Sequence, residues 1–268
     1  MKRCTVVVLA CLMTVGTLCG CMPKTDTRKD EALPQILIGS DTYPPYIYMD
    51  NNGDITGLDV EIAREAFHRM GYEASFIAID WEQKESLVDS GEIDCIWGCF
   101  SMAGREENYQ WAGPYMISRQ VVAVNEKSDI HTMRDLAGKT IAVQSTSKPE
   151  EIFLNRPSAN IPEVKEVFSL EDRSVQYAAL DSGYVDATAT HEMAILQYMK
   201  DYGADFRILD EPLLITGIGV AFSNNDHRGL ADELTETFTQ MRQDGTMLRL
   251  VGAYLEHPEI YLEVDALG

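Results

Sequence analysis

The stretch Asp94-Cys-Ile-Trp-Gly-Cys-Phe-Ser-Met-Ala-Gly-Arg105 brings two thiols, a hydroxyl and a guanidinium close together in the chain. Cys95 and Cys99 raise the possibility of a redox pair or a metal site. Arg105 raises another, since a planar guanidinium fork fits a carboxylate through two parallel hydrogen bonds. Its plainer alternative is a surface arginine paired with Glu106 or Glu107. Strand geometry separates the two chemistries. Four residues of extended chain span roughly 13 Å, whereas a disulfide needs Cα atoms within about 7 Å. A bridge therefore requires the strand to break before Cys99. Zinc needs more ligands than two thiols with no clustered histidine. No metal and no cofactor is expected.

The elements that position this stretch read as alternating strands and helices. Ile36–Ile38 is a short strand ending in a Gly-Ser-Asp turn. Asp59 is placed to cap a helix running to about Met70, with Ile62, Ala63, Ala66, Phe67 and Met70 on its apolar stripe. Tyr72–Ile79 alternates like a strand, Glu82–Ser90 is a helix stopped by Gly91, and Ile93–Gly98 is the next strand. Such alternation predicts an α/β fold with right-handed crossovers and a mainly parallel sheet. After two long extended runs, Ile117–Val124 and Thr216–Ser223, come further strand and helix signals. Between the runs lie the helices Glu171–Asp181 and His191–Tyr202 and the strand Val185–Ala189. After them come the helix Leu230–Arg242 and a shorter one past Gly245. The extended runs flank the second α/β unit, as two crossing strands would.

The chain has 268 residues, enough for one large domain or two modest ones, and a formal net charge of −21. That acidity argues against nucleic acid as a partner and against polybasic attachment to anionic lipid. Lys2 and Arg3 precede an uncharged apolar run, Thr5–Leu18, too short to span a bilayer but suited to the core of a signal peptide. The run ends in Leu18-Cys19-Gly20-Cys21, which resembles the lipobox of bacterial lipoproteins. The resemblance implies a signal peptide over 1–20 and lipidation of Cys21. Residues 21–34 then read as a polar tether, leaving Cys95 and Cys99 as the cysteines of the folded part.

Several spaced segments together resemble a family. They are IGSDTYPPY followed by GDITGLDVEIA; DWEQKESLVDSGEIDCIWG; SMAGREENYQWAGPY; DLAGKTIAVQ; LDSGYVDAT; and QDGTMLRLV. From Gln35 to about His257 the chain is similar to the periplasmic-type solute-binding proteins of ABC importers, of the polar amino acid class. The resemblance implies a periplasmic-binding-protein-like α/β fold. Two lobes, 35–118 with 222–268 and 119–221, would be joined by two hinge strands with a ligand cleft between them. It also implies a monomer, anchored outside the cytoplasm by its lipid, that binds an amino acid or related small carboxylate and serves importer membrane subunits.

The resemblance assigns the site residue by residue. Arg105 would hold the ligand carboxylate, Ser101 would be the hydroxyl on the same turn, and Cys99 would offer its backbone carbonyl to the ligand amine. This turn is one residue shorter than the family pattern. Tyr43 and Trp81 match the two aromatics that sandwich the ligand side chain. Asp41 matches an acid that meets a basic side chain, or else caps its turn. Gln144, Ser145, Thr146 and Ser147 occupy a loop that meets the carboxylate from the second lobe, without the usual glycine. His191 stands where the family has an aspartate for the ligand ammonium, and Glu192 substitutes for it or merely caps the following helix. A neutral histidine provides one acceptor and no charge. The departure allows a ligand whose amine is modified or absent. Two other roles share this fold: a sensor that signals to a separate membrane protein, and a dehydratase acting on prephenate-like substrates. The second needs a positioned acid, a role in which Glu192 or His191 could be cast, but no nucleophile–base or metal constellation stands out, so the expected role is binding and not catalysis.

Overall fold

The computed structural model describes residues 32–267. The signal segment, Cys21 and most of the expected tether lie outside the described residues. In chain order the elements are β1 (Gln35–Ser40), β2 (Tyr48–Met49), β3 (Ile55–Thr56), α1 (Leu58–Arg69), β4 (Glu73–Ala78), α2 (Lys84–Ser90), β5 (Cys95–Ser101), β6 (Gln110–Asn125) and β7 (Thr140–Gln144). Then follow α3 (Lys148–Asn155), β8 (Glu166–Leu170), α4 (Arg173–Asp181), β9 (Ala187–His191), α5 (Glu192–Tyr202), β10 (Phe206–Ile208), β11 (Leu214–Phe222), α6 (Leu230–Gln243), α7 (Thr246–Gly252) and α8 (Pro258–Tyr261).

One sheet runs in the order β4-β1-β5-β11-β6-β9-β7-β8, with β10 also on β6. β4, β1 and β5 are parallel, and so are β9, β7 and β8. Between these two groups β11 and β6 run antiparallel to each other and to their outer neighbours. A mainly parallel sheet was the expectation, and the long central pair corrects it. These two strands are the ones that cross between the halves, so their direction is set by the crossing and not by a βαβ turn. β6 also begins seven residues before the expected Ile117. Gly113 and Pro114 interrupt the apolar pattern there. The ladder absorbs them by a register shift, pairing Met116 with Ile218 but Ala112 with Val220.

Each half has its own core. In the first, Trp97 of the fully buried β5 meets Phe67, Tyr115 and Phe238 at centroid distances of 6.0, 5.5 and 5.6 Å. In the second, β6 divides its side chains by strand period. Val122 and Val124 pack under Ile141, Val143 and Phe153, while Val121 and Ala123 pack with Tyr177, Ile195 and Phe206 on the opposite face.

Asp59 does not cap α1. The helix starts from Gly57, whose φ of 126° and approach to Tyr46 leave no room for a side chain: a Cβ would lie 2.3 Å from the Tyr46 carbonyl oxygen. Asp59 is instead fully buried beneath β5. Its Oδ2 accepts from the Cys99 backbone N–H at 2.8 Å and its Oδ1 from the Tyr115 hydroxyl at 2.9 Å. Burial raises its pKa to about 7 against the pull of these two donors. Cys95 and Cys99 are both buried and unbridged in the same core.

Candidate ligand-binding site

Residues that follow the carboxyl ends of the parallel strands of both halves converge on one cavity, the place where open α/β sheets bind ligands. Tyr43 follows β1, Trp81 follows β4, and Ser101 and Arg105 lie at and beyond the end of β5. From the other half come Gln144 at the end of β7 and Thr146 after it, Arg173 after β8, and His191 at the end of β9. The cavity is narrow, with a volume of about 30 Å³.

Arg105 is largely buried, 12% exposed, with its guanidinium 5.2 Å over the Phe100 ring. Its polar contacts are weak. It donates to the Ser101 carbonyl at 3.4 Å and to the Thr146 carbonyl at 3.3 Å, and Glu151 lies 3.9 Å away. Burial works against its charge. Lys84 stands nearby with its ammonium 5.0 Å over Trp81, donating to the Trp81 carbonyl and to Thr146 Oγ1 at 2.8 Å. Burial, followed by the neighbouring Arg105, lowers the Lys84 pKa to about 8. Lys148 also lines the wall and is paired with Glu151.

A second cluster surrounds the end of β9. The Arg173 guanidinium lies 3.3 Å over the Tyr43 ring and donates to Asp41 Oδ2 at 2.6 Å. The same carboxylate oxygen accepts from Gln144 Nε2 at 2.6 Å. The Tyr43 hydroxyl lies 2.9 Å from Thr190 Oγ1 and accepts from the His191 backbone N–H at 3.2 Å. The His191 ring spans Ser118 Oγ at 2.6 Å and Gln120 Nε2 at 2.7 Å. Burial, then Arg173 and Arg105, depress its pKa to about 3, so it is neutral at any physiological pH.

Of the residues singled out from the sequence, Tyr43, Trp81, Cys99, Ser101, Arg105, Gln144, Thr146, Ser147 and His191 all line this cavity. Cys99 and Thr146 do so in the left-handed region, at φ 50° and 54°. Such a backbone is costly for residues with a Cβ, β-branched threonine most of all. Thr146, in the loop expected to carry a glycine, adopts a glycine-like conformation. Ser147 is also the N-cap of α3, accepting from the Glu150 N–H. The Ser101 hydroxyl meets Thr216 Oγ1 at 3.0 Å, while Thr216 donates on to the Gly217 carbonyl.

Three residues stand apart from the wall. Asp41 sits behind it, on Arg173 and Gln144. Ser145 does not line it. Glu192 is one residue past His191 on α5 and turns to Arg119, 2.8 Å away. That ion pair corrects the expectation that Glu192 replaces the missing aspartate.

Sequence reasoning missed Lys84, Lys148, Arg173, Gln120 and Gln176. Arg173 had a signal, since a cation at a helix N-terminus opposes the helix dipole and needs a reason to be there. Lys84 follows Trp81 at a helical spacing. Gln176 is a polar residue on the buried stripe of α4, beside Tyr177 and Leu180. Among the described residues, no three His, Cys, Asp or Glu side chains gather as a metal site, and no helix is long and apolar enough to cross a membrane.

Residues 36–257 match the family model for bacterial extracellular solute-binding proteins, family 3. The chain belongs to that family. It is 26% identical over 233 residues to the glutamate-binding protein of Corynebacterium glutamicum, covering 81% of this chain and 77% of that protein. It is 27% identical over 219 residues to the L-cystine-binding protein of Escherichia coli, with 80% of each covered. Among solved structures, the substrate binding protein of an amino acid ABC transporter superposes with a TM-score of 0.74 at 27% identity, covering 83% of this chain and 99% of that one. A second, described as Tv2483 bound to L-arginine, gives 0.76 at 26% identity, covering 83% and 90%. These matches establish the two-lobed α/β fold and an amino-acid-binding, extracytoplasmic family. The relatives are binding proteins, not enzymes.

Proposed function

We propose that this chain captures an amino acid or related small carboxylate in the cavity between its lobes and presents it to an ABC importer. The lobes are 35–118 with 222–268 and 119–221. The observation that carries the reading is Arg105: a buried guanidinium on the cavity wall whose protein hydrogen bonds are two long contacts to backbone carbonyls. A carboxylate would satisfy its fork far better than either contact. The named ligands of the relatives, glutamate, L-cystine and arginine, all carry a carboxylate and support the same assignment.

Binding proceeds by closure. Ligand docks on the first lobe through Arg105, beside Tyr43 and Trp81. The second lobe then adds the Gln144–Ser147 loop and His191. Lys84 to Thr146, Arg105 to Thr146 and Tyr43 to Thr190 are among the contacts that join the lobes here, and a ligand would reinforce or replace them. Closure shifts the population toward a form that the importer subunits recognise. Lipid on Cys21 keeps the monomeric receptor at the membrane.

The test is a thermal-shift screen of the purified protein against L-amino acids and small carboxylates, with Arg105→Ala in parallel. A ligand that binds the folded state raises its melting temperature by mass action. The reading predicts hits on the wild type that vanish in the variant. Hits of equal size in both would refute the role of Arg105.

A further inference from the structure

Three glutamine side chains, Gln120 from β6, Gln144 from β7 and Gln176 from α4, line the cavity, and all are at least 97% buried. In each the amide nitrogen is engaged, while the Oε1 is buried without a protein hydrogen-bond partner. The orientation of two amides is dictated by their neighbours. Gln144 Nε2 meets the Asp41 carboxylate, which can only accept. Gln176 Nε2 meets the Ala189 carbonyl at 2.9 Å and Thr188 Oγ1 at 2.7 Å. Gln120 donates to His191 Nε2 in the tautomer that sends the Nδ1 proton to Ser118. Buried polar atoms without partners are rare and costly. Three on one cavity wall call for a donor-bearing ligand.

The charge around them limits what that donor can be. The ionised groups on the wall are Arg105, Lys148 and Arg173, with no carboxylate among them. Lys84 adds a fourth cation close by. Of the nearby acids, Asp41 lies behind the wall, its Oδ2 engaged by Arg173 and Gln144 and its Oδ1 buried without a protein partner; Glu151 is engaged by Lys148, and Glu150 accepts from the Thr146 N–H. The ring of His191, between Ser118 and Gln120, carries no charge. An ammonium here finds acceptors but no anion on the wall to pair with, and it faces a surplus of positive charge.

We infer that the glutamine oxygens read an uncharged N–H or O–H of an acidic ligand, such as the hydroxyl of an α-hydroxy acid or the amide of an N-acyl amino acid, without relying on a charged amine. The inference rests on the proposed carboxylate-binding function and specifies the other end of the same ligand.

The experiment uses matched series of acids differing at one group: L-glutamate, L-2-hydroxyglutarate and glutarate, and L-phenylalanine, L-3-phenyllactate and 3-phenylpropionate. Affinities are measured by calorimetry on the wild-type protein in whichever series binds. The hydroxy acid is expected to bind at least about threefold tighter than the plain acid, and the amino acid no more than about threefold tighter than the hydroxy acid. A hydroxyl worth less, or an amine worth more, overturns the inference while leaving the carboxylate site standing. If neither series binds, the same amino, hydroxy and plain acids are compared on the side chain of the tightest hit from the screen; an empty amino acid and carboxylate screen overturns the underlying function as well.

His191→Asp gives an independent readout, because Ser118 and Gln120 can both donate to the new carboxylate. It should move the amino-to-hydroxy preference toward the amine by at least about threefold. A smaller shift in a folded variant contradicts the inference, and the wild-type series decides the matter if the variant does not fold.

Discussion

The two sides of the cavity are built on opposite electrostatic plans. Around Arg105 the wall is cationic and sparsely bonded: Lys84 has no carboxylate contact among the described residues, and Arg105 has one at 3.9 Å, to Glu151, beside two long bonds to backbone carbonyls. Around β9 the wall is polar but nearly neutral. Arg173 is balanced by Asp41, His191 is uncharged, and the glutamines offer carbonyl oxygens. A buried charge without a partner is costly, so it pays only if a ligand of opposite sign completes it. A buried amide costs less and reads hydrogen-bonding pattern instead of charge. The comparison assigns affinity for an anion to the first side and discrimination among donors to the second.

The largest effect expected is on the cationic side. Arg105→Ala should weaken binding of a carboxylate ligand by about 100-fold or more in calorimetry, as expected when one member of a buried charge-assisted pair is removed. Lys84→Met should cost about tenfold and also change the pH profile. Since burial and Arg105 set the Lys84 pKa at about 8, its positive charge helps an anion below that pH and is lost above it. Wild-type affinity should therefore fall as pH rises through about 8, and the variant should lack that step.

Asp59 tests the support beneath this side, because its carboxylate holds the left-handed Cys99 backbone. Its folded pKa of about 7 lies above the unfolded value. The folded state thus binds the proton more tightly, and the stability linked to this group is full at low pH and declines as pH rises toward about 7. Asp59→Asn should flatten the fall in melting temperature over that range, a change of about 2–4 °C per kcal/mol removed. An unchanged slope would place the charge elsewhere. The smallest effect belongs to Glu192→Gln. Its side chain pairs with Arg119 outside the cavity, so ligand affinity should change by less than about twofold.

The cationic side was the more legible in the sequence. Arg105 and Ser101 lie on one turn next to a strand, and Trp81 lies just beyond another, so the family resemblance could be read there from contiguous residues. The neutral side joins residues from β6, β7, α4 and β9, and no local pattern links Gln120 to Gln176. Glu192 and Asp59 were misread for a common reason. A single-residue step at a helix start decides whether a side chain faces cavity, core or solvent, and tertiary partners settle it: Arg119 for one, the Cys99 N–H for the other. The alternation of strands and helices was clear, whereas the antiparallel direction of β6 and β11 follows from the crossing between halves, which periodicity does not encode.

The most direct test of the central claim is isothermal titration calorimetry of the tightest-binding small carboxylate from the screen, on wild type and on Arg105→Ala at the same pH. The account predicts one site per chain in the wild type and no measurable heat of binding in a folded variant. Binding of equal affinity in both proteins would contradict it.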